Sequence, residues 1–308
     1  MVTKSKELTL KRYDAADAFL EETESYLIEH EVQNVFLWIA AEKAKKESSS
    51  VHFYCSAVWD GQNRFVFALF CLDRSMLYGS CLRDDFTSDA LSAVDLAMTD
   101  YINTASYRQL QCVHAFEPAF GRMKTNLTAL ATNLKLITVD QTWSYDIKQV
   151  QWPPRALRIT QNKQRTELKQ AIDTDVPLLA EWLRGFWNDN MEHIGVATSL
   201  PSAEEFVLES LISRFIYILY VDGIPVSMCW KRRPSRNGCS ISFVYTPNTE
   251  RGKGYASACV AMCTELFLKE YSFVTLFVVR QQDPNKNLYT SIGYQLVGKS
   301  ARLRTCTE

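Results

Sequence analysis

The chain has 308 residues, with 34 Lys plus Arg against 35 Asp plus Glu and a formal net charge of −1. At roughly 100–200 residues per domain, this length points to two domains. An apolar share of 47% with 22% charged residues excludes disorder and collagen-like repeats, and the missing basic excess speaks against a dedicated nucleic-acid binder.

No membrane association is expected. The longest apolar run, residues 65–72, falls well short of the roughly 20 residues that span a bilayer. Residues 1–11 alternate charge and polarity and carry no apolar leader core, so a cytoplasmic location is expected. The nine cysteines are odd in number and form no CxxC pair. Most sit inside apolar runs, where a free thiol acts as a small hydrophobe, so reduced thiols are expected rather than a disulfide framework. Cys259 and Cys263 lie one helical turn apart, but no histidine stands near enough to complete a metal set, and no metal is expected.

In chain order, the first half opens with a strand at 8–13 and helices at 15–30 and 34–46. Strands follow at 51–59, 64–71 and 76–82, the first pair joined through Asp60-Gly61. A helix over 88–104 carries the stripe Leu91, Val94, Met98 and Ile102. A strand at 110–115, a helix at 120–133 and a strand at 136–143 complete it. Trp152-Pro153-Pro154 then breaks the pattern ahead of a polar stretch, and a proline pair favours an extended linker over a helix. The domain boundary is placed there: 1–150, a linker over 151–165, and 166–308.

The second half repeats the order. A strand at 168–172 leads into Asp173-Thr174-Asp175 as a cap, and Leu178, Leu179, Trp182 and Phe186 form a helical stripe. A helix at 202–213 precedes strands at 215–221 and 225–231 joined by Asp222-Gly223, a hairpin signal. A strand at 240–245, a long helix after Gly254, a strand at 273–279, a helix at 285–292 and a strand at 294–303 follow. Both halves read β-α-α-β-β-β-α-β-α-β, about 155–160 residues apart by patterning. The fold class is therefore α/β (α+β, three-layer), with two similar halves.

The segment Arg251-Gly252-Lys253-Gly254-Tyr255-Ala256 lies between a strand and an amphipathic helix. A helix N-terminus offers unpaired N–H groups and the positive end of the dipole to a phosphate. Gly252 and Gly254 allow close backbone approach, and Arg251 and Lys253 add positive charge at the mouth. A Walker loop fails, because glycine rather than Ser or Thr follows Gly252-Lys253. A dinucleotide fingerprint fails too, because Ser257 replaces the third glycine and too little chain remains. On these six residues alone, a basic turn opening a surface helix explains the pattern equally well. At the matching junction of the first half, Arg83-Asp84-Asp85-Phe86-Thr87-Ser88-Asp89 has no glycine, and its three acids would repel a pyrophosphate.

Taken together, Val244-Tyr245-Thr246-Pro247, the 251–256 loop, and Tyr289 with Gly293 and Tyr294 resemble the GNAT superfamily of acyl-CoA-dependent N-acyltransferases. Its acyl-CoA motif (Arg/Gln)-x-x-Gly-x-(Gly/Ala) is met by Arg251, Gly254 and Ala256. A later Tyr-x-x-x-Gly-(Phe/Tyr) is met by Tyr289, Gly293 and Tyr294. The resemblance covers about 166–305, and the first half is similar to a degenerate copy, as in tandem members. It implies two GNAT-like folds, each with a mixed, largely antiparallel central sheet flanked by helices.

The resemblance further implies acetyl-CoA as co-substrate, held by backbone N–H groups of Arg251, Gly252, Lys253, Gly254, Tyr255 and Ala256. It implies that the backbone at Val244 and Tyr245 engages the pantetheine arm. Tyr289 is the implied general acid to the leaving thiolate. Where the family often carries Asn seven residues before this tyrosine, Gln282 stands here, and Asn285 is the substitute contact after a shift. The strand at 240–245 has no acid, so Glu192, beside His193, is taken as the base; Glu250 reads as a surface charge. The expected reaction moves an acetyl group to a primary amine of a small molecule or peptide by direct attack in a ternary complex, in a monomer or homodimer. Two alternatives stay open: a conjugase resembling glycine N-acyltransferases that uses a larger acyl-CoA, and a CoA-binding protein without turnover.

Overall fold

A computed structural model of the chain describes residues 8–47, 51–82, 88–104, 106–131, 133–161, 165–190, 202–279 and 283–307. The chain packs as two units, Met1–Ser144 with Val297–Glu308, and Tyr145–Leu296.

The first unit holds β1 (Thr9–Tyr13), α1 (Ala16–Glu29), α2 (Glu31–Lys46), β2 (Phe53–Trp59), β3 (Phe65–Leu72), β4 (Met76–Gly79), α3 (Ser88–Asn103), β5 (Cys112–Phe116), α4 (Ala119–Leu130) and most of β6 (Leu134–Ile147). Its sheet runs β1-β2-β3-β4-β5, antiparallel except for the parallel pair β4/β5. Strand alternation supplies both faces. From β3, Phe67, Leu69 and Cys71 pack with α3 and α4, while Ala68, Phe70 and Leu72 pack with α1 and α2. That near-continuous apolar run marks a strand covered on both sides, hence three layers.

Beside β5 lies β12 (Gln295–Thr307), the last strand of the chain, followed in the sheet by β6. Ser300–Arg304 pair antiparallel with Phe116–Cys112, and Ala301 and Leu303 are buried in the core beneath α3. The strand read from sequence as closing the second half thus runs, from Val297 onward, in the first unit.

The second unit begins with the end of β6 and continues through α5 (Pro154–Gln161), β7 (Thr166–Gln170), α6 (Val176–Asp189), α7 (Ala203–Ile212), β8 (Ile216–Val221), β9 (Ile224–Arg232), β10 (Gly238–Tyr245), α8 (Tyr255–Phe267), β11 (Phe273–Val279) and α9 (Leu288–Ile292). Its sheet runs β11-β10-β9-β8-β7, antiparallel except for β10/β11. Tyr145, on the end of β6, accepts a bond from Thr275 Oγ1 at 2.7 Å. Asp222 and Gly223 both take positive φ, 54° and 77°, which suits the tight turn of the β8/β9 hairpin. Ser202 caps α7 by accepting from the Glu205 N–H at 3.2 Å, and the Ser202 N–H donates in return to the Glu205 carboxylate at 2.9 Å. Leu179, Trp182 and Leu183 of α6 pack with Val207 of α7 on Ile218, Met228 and Trp230. The opposite face is covered by α8, whose Ala258, Cys259, Ala261 and Cys263 are fully buried.

Helices α1 and α6 start 160 residues apart, and among the described pairings a parallel one joins the corresponding strands of each unit, β4/β5 and β10/β11. The repeat expected from patterning is therefore present in the fold. One local expectation is corrected. Residues 154–161, read as extended linker, form α5, because Pro154 occupies the first helical position, where its missing N–H costs nothing.

Candidate active site

Strands β10 and β11 pair only from Gly238↔Phe273 to Ile241↔Leu276. Beyond that point the register of β10 on β9 slips between Ser242 and Tyr245, and Phe243 adopts φ +48°, a left-handed conformation rare for a bulky side chain. A cleft of about 400 Å³ opens there. Its walls include Val244, Tyr245 and Thr246 on one side and Phe277, Val278 and Val279 on the other, with Arg251, Ala256 and Tyr289 at its ends. The end of β10 is fixed from β9: Ser227 Oγ donates to the Tyr245 carbonyl at 3.0 Å and is bonded to Thr246 Oγ1 at 2.9 Å.

The glycine loop forms the approach to α8. Gly252 has φ +75° and Gly254, the residue capping α8, φ +92°. These left-handed angles are costly for other residues, which is the physical reason for glycine at both positions. A side chain on Gly254 would also come within 2.8 Å of Arg155.

The charges sequence reading placed at the mouth are largely paired. Arg251 forms an ion pair with Asp189 at the end of α6, donates from Nε to the Thr246 carbonyl at 2.9 Å, and lies 5.6 Å above the Tyr245 ring. Lys253 pairs with Glu250 at 3.0 Å, so Glu250 serves the loop rather than the open surface. A third cation, missed in the sequence, is Arg155 of α5, whose Nη1 donates to the Gly252 carbonyl at 2.7 Å. The Arg251 N–H is bonded to the Asn248 carbonyl at 3.3 Å, so with these cations tied to partners the later N–H groups of the loop and the start of α8 are left as the features an anion would meet.

Tyr289 sits in the first turn of α9. Asn287 caps that helix, accepting from the N–H groups of Tyr289 and Thr290 at 2.9 and 3.1 Å. Asn287 in turn donates to Tyr145 Oη at 3.1 Å. The Tyr289 ring lies 6.5 Å from Tyr145 and meets Tyr294 edge-on at 6.2 Å. Burial, aided by Cys229 and Tyr145 nearby, holds the Tyr289 phenol above the ordinary tyrosine value, so it is protonated at neutral pH.

The cleft thus gathers Val244, Tyr245, Arg251, Ala256 and Tyr289, while Gly252, Lys253, Gly254 and Tyr255 shape the adjoining turn. Asn285 is exposed on the turn before α9, its N–H donates to Asp283 Oδ1 at 2.9 Å, and it does not line the cleft. Asn287, two residues on, is the organising amide of this turn. Glu192, His193 and Gln282 lie outside the described residues. Among the described residues lining the cleft, Asp189 is the only carboxylate.

An FR47-like protein family model matches residues 225–303, the span that contains the glycine loop and Tyr289. A search of curated protein sequences finds no match. Solved structures do match over nearly the whole chain. A GCN5-related N-acetyltransferase from Sphaerobacter thermophilus is 13% identical, with TM-score 0.53, covering 98% of this chain and 96% of its own. A Drosophila protein solved by structural genomics is 10% identical, with TM-score 0.56 and coverages of 96% and 97%. A tandem GNAT protein from the clavulanic acid biosynthesis pathway is 11% identical, with TM-score 0.50 and 98% coverage of both chains. At these identities the likeness is one of fold, and the fold of this chain is that of the GNAT N-acetyltransferases in its tandem form.

Proposed function

We propose that this protein is an acyl-CoA-dependent N-acyltransferase that moves an acetyl group from acetyl-CoA to a primary amine of a small molecule or peptide. The observation that carries the reading is the convergence, in one cleft, of parted parallel strands, a left-handed glycine turn before α8, and a protonated Tyr289. The second half of the chain (166–308, behind the 151–165 segment) is read as the catalytic domain and the first half (1–150) as a degenerate copy acting as scaffold.

In this reading the N–H groups of residues 252–256 bind the pyrophosphate, and Arg251, Lys253 and Arg155 fix the turn that presents them. The edge of β10 at Val244 and Tyr245 pairs with the pantetheine arm and polarises the thioester oxygen. An alkyl ammonium of pKa ~10 must lose a proton before its nitrogen attacks the thioester carbon. Glu192 is the proposed base, through water. As the C–S bond breaks, Tyr289 Oη gives its proton to the departing thiolate. Co-substrate and acceptor are bound together, so attack is direct.

Among the described residues no helix is long and apolar enough to cross a membrane. We place the protein in the cytoplasm, as a monomer or homodimer acting without metal. The test is thiol release from acetyl-CoA over a panel of amines. Amine-dependent release supports the reading, and its absence with every acyl-CoA offered contradicts it.

A further inference from the structure

The mouth of the cleft suits an anion, yet it carries a carboxylate. Asp189 is the last residue of α6 and lines the cleft beside Asn190, Thr246 and Arg251. Its position is unfavourable on two counts. The C-terminus of a helix is the negative end of its dipole, and a bound CoA would bring phosphates to the adjoining loop. What offsets the charge in the free protein is Arg251, 62 residues on, whose Nη2 donates to Asp189 Oδ2.

Arg251 has other holds. Its Nε donates to the Thr246 carbonyl at 2.9 Å, and its guanidinium carbon lies 5.6 Å from the centre of the Tyr245 ring. Both contacts tie it to the end of β10, so its place does not depend on Asp189. The other loop cation gives a comparison. Lys253 pairs with Glu250 at 3.0 Å, and neither of these two lines the cleft. The two pairs are alike in charge, but only Asp189 and Arg251 face the space a ligand would fill.

From this placement we infer that Asp189 and the diphosphate of CoA compete for Arg251. The diphosphate takes the guanidinium when acyl-CoA binds, and Asp189 takes it back as CoA leaves, which makes Asp189 a release residue of the cycle. The inference rests on the acyltransferase reading and adds to it a role that the chemical steps do not use. The exchange is open geometrically, because a planar guanidinium presents the same fork to carboxylate and phosphate oxygens. It also costs little. Asp189 and Arg251 are both exposed, and an exposed ion pair shifts an equilibrium by no more than about fivefold. While CoA holds Arg251, the unpaired Asp189 repels the phosphates and favours their departure. Product release limits turnover in many enzymes, and a competitor at the mouth shortens the life of the CoA complex.

The test titrates free CoA by calorimetry into the full-length wild type, Asp189→Asn and Glu250→Gln, and times CoA dissociation by stopped flow. The expected Kd is about two- to fivefold lower in Asp189→Asn, carried by slower dissociation, with a smaller change in Glu250→Gln. The same gain is expected with 3′-dephospho-CoA, which keeps the diphosphate. An unchanged or weaker affinity in Asp189→Asn makes the acid a support of the loop and overturns the inference. Equal gains in both variants, or a gain carried by association alone, reduce the effect to overall charge and overturn it too. A gain that vanishes with 3′-dephospho-CoA overturns the assignment to the diphosphate. Failure of the wild type to bind any CoA species strikes the acyltransferase reading itself, whereas CoA binding that Asp189→Asn does not tighten strikes this inference alone.

Discussion

Arg155 and Gly252 lie 97 residues apart in sequence, yet Arg155 Nη1 donates to the Gly252 carbonyl at 2.7 Å. The bond turns one peptide of the glycine loop and thereby sets the direction of the neighbouring N–H groups. The aliphatic part of Arg155 also lies over Gly254, so α5 supports the loop from behind. A segment that reads as a linker thus belongs to the candidate binding machinery.

Arg155→Ala removes this support while leaving the glycines in place. A charge-assisted bond at an exposed site contributes on the order of 1 kcal/mol, so acetyl-CoA affinity should fall about fivefold. Isothermal calorimetry checks the affinity, and circular dichroism should show an unchanged fold. Equal affinity in both proteins would leave Arg155 with no part in the loop.

Tyr289→Phe removes one hydroxyl from the cleft. A general acid contributes about 10²–10⁴-fold, so kcat should drop at least a hundredfold while the Kd for acetyl-CoA stays within about twofold. Retained kcat would remove Tyr289 from the chemistry.

Burial raises Tyr289, Tyr294, Tyr101 and Tyr54 above the ordinary tyrosine value, and pushes Tyr217 up to about 12. In the unfolded chain these phenols ionise near ~10. Below that pH both states are protonated and the stabilisation is fully present. Above it the unfolded state loses protons that the folded state keeps, so stability falls as pH rises. Urea midpoints should be flat from pH 8 to 9 and drop steadily from 10 to 11. Absorbance at 295 nm of the native protein should titrate only part of the 14 tyrosines by pH 11.

Leu303 tests the C-terminal strand. It is 1% exposed, in the core of the first unit, and pairs with Val113 of β5. Truncation of such a leucine costs about 2–5 kcal/mol. Leu303→Ala should therefore lower the unfolding midpoint in urea markedly. A loss below about 0.5 kcal/mol would contradict the burial of β12.

Much of this was legible in the sequence because it was local. The helical stripe of α6, the Asp222-Gly223 turn and the Gly252/Gly254 pair are set by spacing and backbone sterics within a few residues. Tyr289 came from the resemblance, whose Tyr-x-x-x-Gly-(Phe/Tyr) motif it meets, and it lines the cleft. What escaped depends on chain segments meeting in space. Asp189 meets Arg251 from 62 residues away, and Arg155 meets Gly252 from still farther. Nor does sequence reveal that β12 lies beside β5, since an apolar strand has no label for its neighbour. At α9 two asparagines stand two residues apart, and only capping geometry singles out Asn287 as the one that organises the turn.

The central claim is that the loop at the start of α8 holds an acyl-CoA, and calorimetry tests it most directly. Acetyl-CoA, benzoyl-CoA and free CoA are titrated into the protein and into Gly254→Asp, which puts a strained, acidic side chain where φ is +92°. The account predicts micromolar binding by the wild type that the variant loses at least tenfold, with the acyl preference separating an acetyltransferase from a conjugase of larger acyl groups. No binding by any CoA species, or equal binding by wild type and variant, would contradict it.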